Sequence, residues 1–546
     1  MIAYNRCGVG RWTRATALAA AVALAVSACG DDDDGTAATP APGTAPTSAP
    51  DGSDGSDAPD AATSPSSAAF DPDATLVYAQ GNDLSRMDPH RGLGGPDGVM
   101  LFPAYDRLVH VLPNGEFVPG LAESWEFSDD GRTLTLQIRE GVTFHDGAQL
   151  DAEAVKLSLD RAREGTETDV ARDLAPIQDV RVVDPSTVEI TLDGPNAAII
   201  GILSDRAGIV ISPEAIRSGV DLDATMVGAG PFELVEYVSG AGATYRRFDD
   251  YWGEPAKVAR LEIRILPDPT SRLNAVRSGD VDVAPIAASD VAAAEQAGLQ
   301  VAKKTTVSYM NIYQNRSHPA LADLRVRQAI VHALDRASMC EAILAGLCQL
   351  TDQPFPPGYF ANDDAGEQVI YPFDPDRARA LLEEAGVRDL SLSMIVAAGQ
   401  ADAQAIGESV QAQLGEVGIS VDLVPVPPND MAREMFVEQS SPALVSVWSG
   451  RPDPSTTLAQ RALATGFANP GGGTTEEATA LIEESITTLD PDERQRVLQA
   501  ASRQVAEDLL EVVLMFPEQA FATGPAVVFE PYVTAKTEFR DVAVGG

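Results

Sequence analysis

Residues 129–163 read DDGRTLTLQIREGVTFHDGAQLDAEAVKLSLDRAR, and their changes of period decide the class of fold. Asp129-Asp130-Gly131 is turn chemistry. Thr133–Ile138 then alternates polar and apolar side chains, the period of a strand with one buried face. From Ala152 to Arg163 the period becomes helical, with Ala154, Val155 and Leu159 on one side. Thr187–Leu192 returns to alternation. The class is α/β, in the mixed α+β sense.

The pattern continues along the chain. Val326, Ala329, Ile330, Ala333 and Leu334 form a core-facing helix stripe. Asp374-Pro375 starts another helix, with Asp as N-cap and Pro in the first turn, and Gly386 ends it. Ile406–Val417 reads as a third helix and Ile419–Val424 as a strand that Pro425 closes.

Composition sets the limits. The 546 residues suggest about three to four domains. A formal charge of −42 excludes a general nucleic-acid binder, whose affinity comes from Lys and Arg on phosphates. Four Cys do not make a disulfide scaffold, and the sequence has no apolar run long enough to span a bilayer.

The N-terminus decides the compartment. Arg6, Arg11 and Arg14 precede the short apolar run Ala15–Ala28, the layout of a secretory signal peptide over residues 1–28. Val26-Ser27-Ala28-Cys29-Gly30 is similar to a lipobox, which makes Cys29 the expected lipidated N-terminus. Loss of the leader removes three Arg and no acid, taking the charge to −45. Residues 30–73 hold ten Asp, no Lys or Arg, and no Val, Ile, Leu or Met, so 29–73 is expected to be a disordered acidic tether. The protein is then extracytoplasmic, on the outer face of the bacterial cytoplasmic membrane, held by lipid alone.

Catalytic motifs are missing from the sequence. His90, His110, His145, His318 and His332 form no zinc-protease motif, and there is no Walker A loop, G-x-S-x-G elbow or C-x-x-C. No enzyme, cofactor, catalytic residue or metal is expected. Cys340 and Cys348 would stand about 12 Å apart on one helix, too far to bond. Gly346 ends that helix, so a disulfide and two separately buried thiols both stay open.

Several stretches together resemble one family. Leu121-Ala122-Glu123-Ser124-Trp125, Phe144-His145-Asp146-Gly147, Gly228-Ala229-Gly230-Pro231-Phe232 with Asp250-Tyr251-Trp252, Val326-Arg327-Gln328-Ala329 with Ala333-Leu334-Asp335-Arg336, and Leu381–Gly386 follow in the order seen in extracellular solute-binding proteins, family 5, the peptide/nickel type serving ATP-binding-cassette (ABC) importers. The resemblance implies a two-lobed periplasmic-binding-protein type II-like fold with an extra subdomain. Lobe I would comprise 74–106, 216–308 and 516–546, the extra subdomain 107–215, and lobe II 309–515. Crossovers near Ser308–Gln314 and Met515–Phe521 would let the lobes close over a ligand.

It also implies where specificity lies. The family's W-x-A-D-Y-x-D-P motif reads here Trp448-Ser449-Gly450-Arg451-Pro452-Asp453-Pro454, one residue shorter. The Asp that meets a peptide's ammonium in relatives is replaced by Gly450 or Arg451, depending on the end from which one counts. Arg451 suits a carboxylate instead. Trp448, Ser449, Gly450 and Arg451 are therefore expected at the ligand, with Met87 and Asp88 from lobe I and Tyr309 and Asn311 on the first crossover. The expected function is a monomeric receptor delivering a short peptide or peptide-like molecule to a permease pair and its ATPase. An oligosaccharide ligand, or a sensory or scaffolding role, is the alternative.

Overall fold

The computed structural model describes residues 70–91, 97–164, 169–398 and 401–545. The leader, Cys29 and the tether up to residue 69 lie outside the described residues.

The alternating segments become strands with the expected limits. Thr133–Ile138 and Thr187–Leu192 pair antiparallel in a four-stranded sheet with Ala122–Phe127 and Ile177–Asp184. Leu134, Leu136, Val188 and Ile190 are buried on one face of it. Helix Ala152–Arg163 covers that face, burying Ala154, Val155 and Leu159, and the Asp151 carboxylate caps it by accepting from Ala154 N at 2.8 Å.

A larger sheet runs Ile419–Val426, Leu390–Ala397, Ala443–Trp448, Tyr309–Gln314, Val512–Thr523, Val283–Ile286, Thr75–Gln80, Arg260–Ile265, Gly242–Arg247, Phe232–Val238. Its pivot is Val512–Thr523. The first residues of that strand pair with Tyr309–Gln314, with Val512 opposite Ile312, and its last pair with Val283–Ile286, with Thr523 opposite Val283. Separate apolar clusters lie on either side. One gathers Leu76, Tyr105, Phe232, Tyr245 and Phe521; another gathers Ile312, Val326, Ile330, Met394, Ile406 and Leu514.

Two helices follow the sequence reading closely. Leu324–His332 buries Val326, Ala329 and Ile330, and Pro375–Glu384 is capped by Asp374 accepting from Arg377 N. The strand after the third helix departs from it. It runs through Pro425 to Val426, paired with Leu390–Ala397 on one side only. It is the edge of the sheet, where the missing N–H of Pro425 leaves no ladder bond unmade. Cys340 and Cys348 are joined by a disulfide, because Leu344 ends the helix and the chain turns back through Ala345 and Gly346, both at positive φ.

Beside the pivot strand lies a buried ion pair between Arg461 and Glu511. Tyr309 Oη donates to the same carboxylate at 2.5 Å, and the Asn311 amide oxygen accepts from Arg461 at 2.8 Å. Removing one charge strands the other in a dry interior. Glu511→Gln is expected to lower the unfolding free energy by about 3–5 kcal/mol in urea titrations at neutral pH, and the double variant Arg461→Met/Glu511→Leu by less. A loss under about 1 kcal/mol for the single variant would show that Arg461 is not held by this pair.

Candidate functional site: a charged cavity walled by Trp448–Arg451

Strand Ala443–Trp448 ends at Trp448 and the chain turns sharply through Gly450, at φ +67°. A Cβ there would stand 2.6 Å from the Val307 carbonyl oxygen, so neither an Asp nor any other side chain fits position 450 on this backbone. Ser308 Oγ donates to Ser449 O at 3.0 Å and holds the turn against the first crossover. Asp453 then caps helix Pro454–Ala462 through Ser455 N, and its carboxylate accepts from Arg494 Nη2 at 2.8 Å.

These residues form one wall of a cavity of about 390 Å³. The facing residues come from the segment Gly201–Ala207 and from Lys536 near the C-terminus. The walls approach closely where Gly201 meets Asp453: a Cβ on Gly201 would stand 2.6 Å from Asp453 Cβ.

The charges sort clearly. Lys536 pairs with Asp205. Burial pushes the Asp205 carboxyl up, but Lys536 and Arg206 outweigh it and hold the group down at about 2. Burial pushes the Lys536 ammonium down, against Asp205, with Arg206 and Arg451 acting in the same direction as burial. Arg451 reaches Gln460 Oε1 at 3.3 Å and lies 5.6 Å from the Trp448 ring, while its Nε is buried without a hydrogen-bond partner. Trp448 Nε1 donates to Thr457 Oγ1 at 3.3 Å, which fixes the ring as part of the wall.

Four of the eight expected ligand residues, Trp448, Ser449, Gly450 and Arg451, therefore line one cavity. The other four are placed elsewhere. Tyr309 and Asn311 are fully buried behind the wall, bound to Glu511 and Arg461. Met87 is buried in an apolar cluster, and Asp88 forms a two-pronged pair with Arg161 through Nη1–Oδ1 at 3.0 Å and Nη2–Oδ2 at 2.5 Å. The sequence reading missed Asp205, Arg206 and Lys536. Asp205 and Lys536 are 331 positions apart, and neither carries a local motif that points to the other. The one available cue was that Lys536 is one of only five lysines in the chain. Among the described residues no group of three or more His, Cys, Asp or Glu side chains is placed to hold a metal ion, and no helix is long and apolar enough to cross a membrane.

A pivot strand shared by two half-sheets, separate apolar clusters on either side of it, and a polar cavity reached from both describe a two-lobed solute-binding protein. Comparison with known proteins agrees. The pattern of bacterial extracellular solute-binding proteins, family 5, matches residues 116–469. A glutathione-binding protein of Salmonella paratyphi A is 29% identical over 442 residues, covering 78% of this chain and 86% of the relative. A dipeptide-binding protein of Escherichia coli is 29% identical over 388 residues, 64% of this chain and 71% of the relative. Among solved structures, a periplasmic binding protein of Helicobacter pylori in complex with the peptide STSA aligns with a TM-score of 0.75 at 22% identity, covering 87% of this chain and 99% of that one. NikA from Brucella suis in complex with Fe(III)-EDTA gives 0.77 at 24%, covering 86% and 100%. The chain belongs to the bacterial extracellular solute-binding proteins, family 5. Proteins of this family are extracytoplasmic binding proteins of ABC transporters, not enzymes.

The Asp88 segment carries a pH signature of its own. His90 is buried, its Nε2 donates to Ile209 O at 3.2 Å, and Arg161 Nη1 donates to its Nδ1 at 3.1 Å. The ring is thus neutral. Burial and then Arg161 push its pKa from 6.5 down to about 4, against the pull of Asp88. Between those values the unfolded chain binds a proton that the folded chain does not, so stability is full above pH 6.5 and falls as the pH drops toward 4. His90→Gln is expected to cut the loss between pH 7 and 5 by about 2 kcal/mol in paired urea titrations. Equal losses in both proteins would refute the assignment.

Proposed function

We propose that this protein is a lipid-anchored, extracytoplasmic receptor that captures a short peptide or peptide-like molecule by its carboxylate and delivers it to an ABC permease pair and its ATPase. One observation carries the choice of anion. Arg451 faces the cavity with no carboxylate within ion-pair distance among the described residues and with a buried, unpartnered Nε. A partly buried guanidinium without a counter-charge is costly, and an incoming carboxylate removes that cost through charge-assisted hydrogen bonds. Relatives named for glutathione and for dipeptides fit a ligand of this kind.

In this reading Cys29 bears the lipid and 29–73 is the tether. Lobe I takes 74–106, 216–308 and 516–546, the extra subdomain 107–215, and lobe II 309–515. Closure bends the chain at Ser308–Gln314 and Met515–Phe521, neighbouring segments in which Met310 pairs with Met515. Support comes from the pivot strand, which pairs with both half-sheets and would carry the lobes toward each other. The receptor acts as a monomer.

The test is native mass spectrometry of the leaderless chain with Cys29→Ser, before and after mild denaturation, followed by titration of the released solute. A released small acid, and at least tenfold weaker binding by Arg451→Ala, is the expected result. Saturation at 100 times Kd is expected to stabilise the fold by about 2.7 kcal/mol. A neutral sugar as the released solute, bound equally by Arg451→Ala, would overturn the carboxylate assignment.

A further inference from the structure

We propose that the ligand is an organic anion with an apolar end, its anionic head held jointly by Arg206 and Arg451 and its apolar end seated in a second compartment beside the first. The proposal rests on the receptor reading above and narrows its ligand class.

The first observation is a charge count. Four of the charged side chains of the first cavity are spoken for. Asp205 and Lys536 neutralise each other, Asp453 is neutralised by Arg494, and Asp173 has partners of its own. Arg206 and Arg451 remain, with no carboxylate at ion-pair distance among the described residues. Arg206 is 7% exposed, and its Nη1 is buried without a hydrogen-bond partner, as is Nε of Arg451. The two arise from separate elements, the short helical turn Arg206–Gly208 and the loop after strand Ala443–Trp448. Two guanidiniums converge on one cavity and await the same kind of partner. Lys536 is tied to Asp205 and so acts as a fixed neighbour rather than the anchor.

The second observation is a change of polarity along the cavity. A further compartment of about 310 Å³ shares Asp173, Ile202 and Thr456 with the first. Its remaining lining is mainly apolar, with Ala198, Ala459, Leu463, Phe467 and Ile486. Phe467 is 46% exposed, with Phe436 at 5.5 Å and the Arg172 guanidinium 5.2 Å above its ring. Phe467 thereby offers the apolar compartment an aromatic wall for the ligand's apolar end to cover. One molecule that spans both compartments places charge at the arginines and hydrocarbon at Leu463 and Phe467. A neutral oligosaccharide would satisfy neither.

The test is calorimetric titration of the leaderless Cys29→Ser chain with three probes: benzoyl-Gly-Gly as the free acid, its C-terminal amide, and acetyl-Gly-Gly as the free acid. The benzoyl acid is expected to bind at least tenfold more tightly than either of the others. Arg206→Gln is expected to erase the preference for acid over amide, and Ala459→Phe to bring the benzoyl acid down to the affinity of the acetyl acid. The comparison among probes on the unaltered chain does not depend on either variant folding. Equal binding of acid and amide, equal binding of benzoyl and acetyl acids, or no binding of any probe would each overturn the proposal. Whether the receptor reading falls with it is read separately, from the solute that copurifies.

Discussion

The buried ion pair between Arg461 and Glu511 ties together the parts on which the rest of the structure depends. Glu511 stands one residue before the pivot strand, and Tyr309, which donates to it, begins the neighbouring strand Tyr309–Gln314. The Arg461 guanidinium lies 3.8 Å from the Tyr313 ring and 5.4 Å from the Trp448 ring. One neutralised pair therefore fixes the starts of strands Tyr309–Gln314 and Val512–Thr523 and the back of the cavity wall at Trp448. A buried pair of this kind contributes little net stability against an apolar replacement of the same shape, but it dictates one arrangement, because any slip would leave a charge unpaired.

The facing wall is assembled by the same logic from the C-terminal segment. Lys536 pairs with Asp205, Glu538 with Arg107, and Arg540 Nη1 donates to Tyr251 Oη at 3.3 Å. Arg107 Nη1 also donates to Ser204 O at 3.1 Å. Three successive charged side chains, spaced two apart, thus stitch residues 536–540 to the chain around 107, 205 and 251. Each cation in this seam has an acceptor. Arg206 and Arg451, a few residues from the seam and from Asp453, break the pattern, and that contrast separates charges that build the wall from charges that address the cavity.

Legibility in the sequence followed the range of the interaction. Two strands of the four-stranded sheet and the helix that covers it could be read from residues 133–192 because alternation and helical period are local signals. The Pro425 strand was read short because an edge position is a property of the sheet, and no neighbour in sequence reports it. Trp448–Arg451 was found through a motif, which is contiguous by nature. Met87 and Asp88 were placed at the ligand by likeness alone. Met87 is buried in an apolar cluster, and Asp88 is held by Arg161, 73 positions away, which no local pattern connects to it. Arg206 and Lys536 were invisible for the same reason.

The shortened motif acquires a physical meaning from the turn. Where the sequence is one residue shorter than the family motif it resembles, the chain passes through a left-handed Gly450 pressed against Val307, a position that admits no side chain. An acid cannot be placed there by substitution on this backbone. The remaining Asp453 is committed to capping its helix and to Arg494. With Asp205 paired to Lys536, Asp453 to Arg494, and two arginines without a counter-charge, the proposed reading makes an anion the ligand group held most strongly, although the chain as a whole is strongly acidic. The long-range field of a −42 protein repels an anion, so an anionic ligand of the kind proposed would be recognised by desolvated contacts inside the cavity, where screening by water and salt is weakest. In the proposed reading the closing of two lobes supplies that desolvation, so that hinge and arginines act as one device.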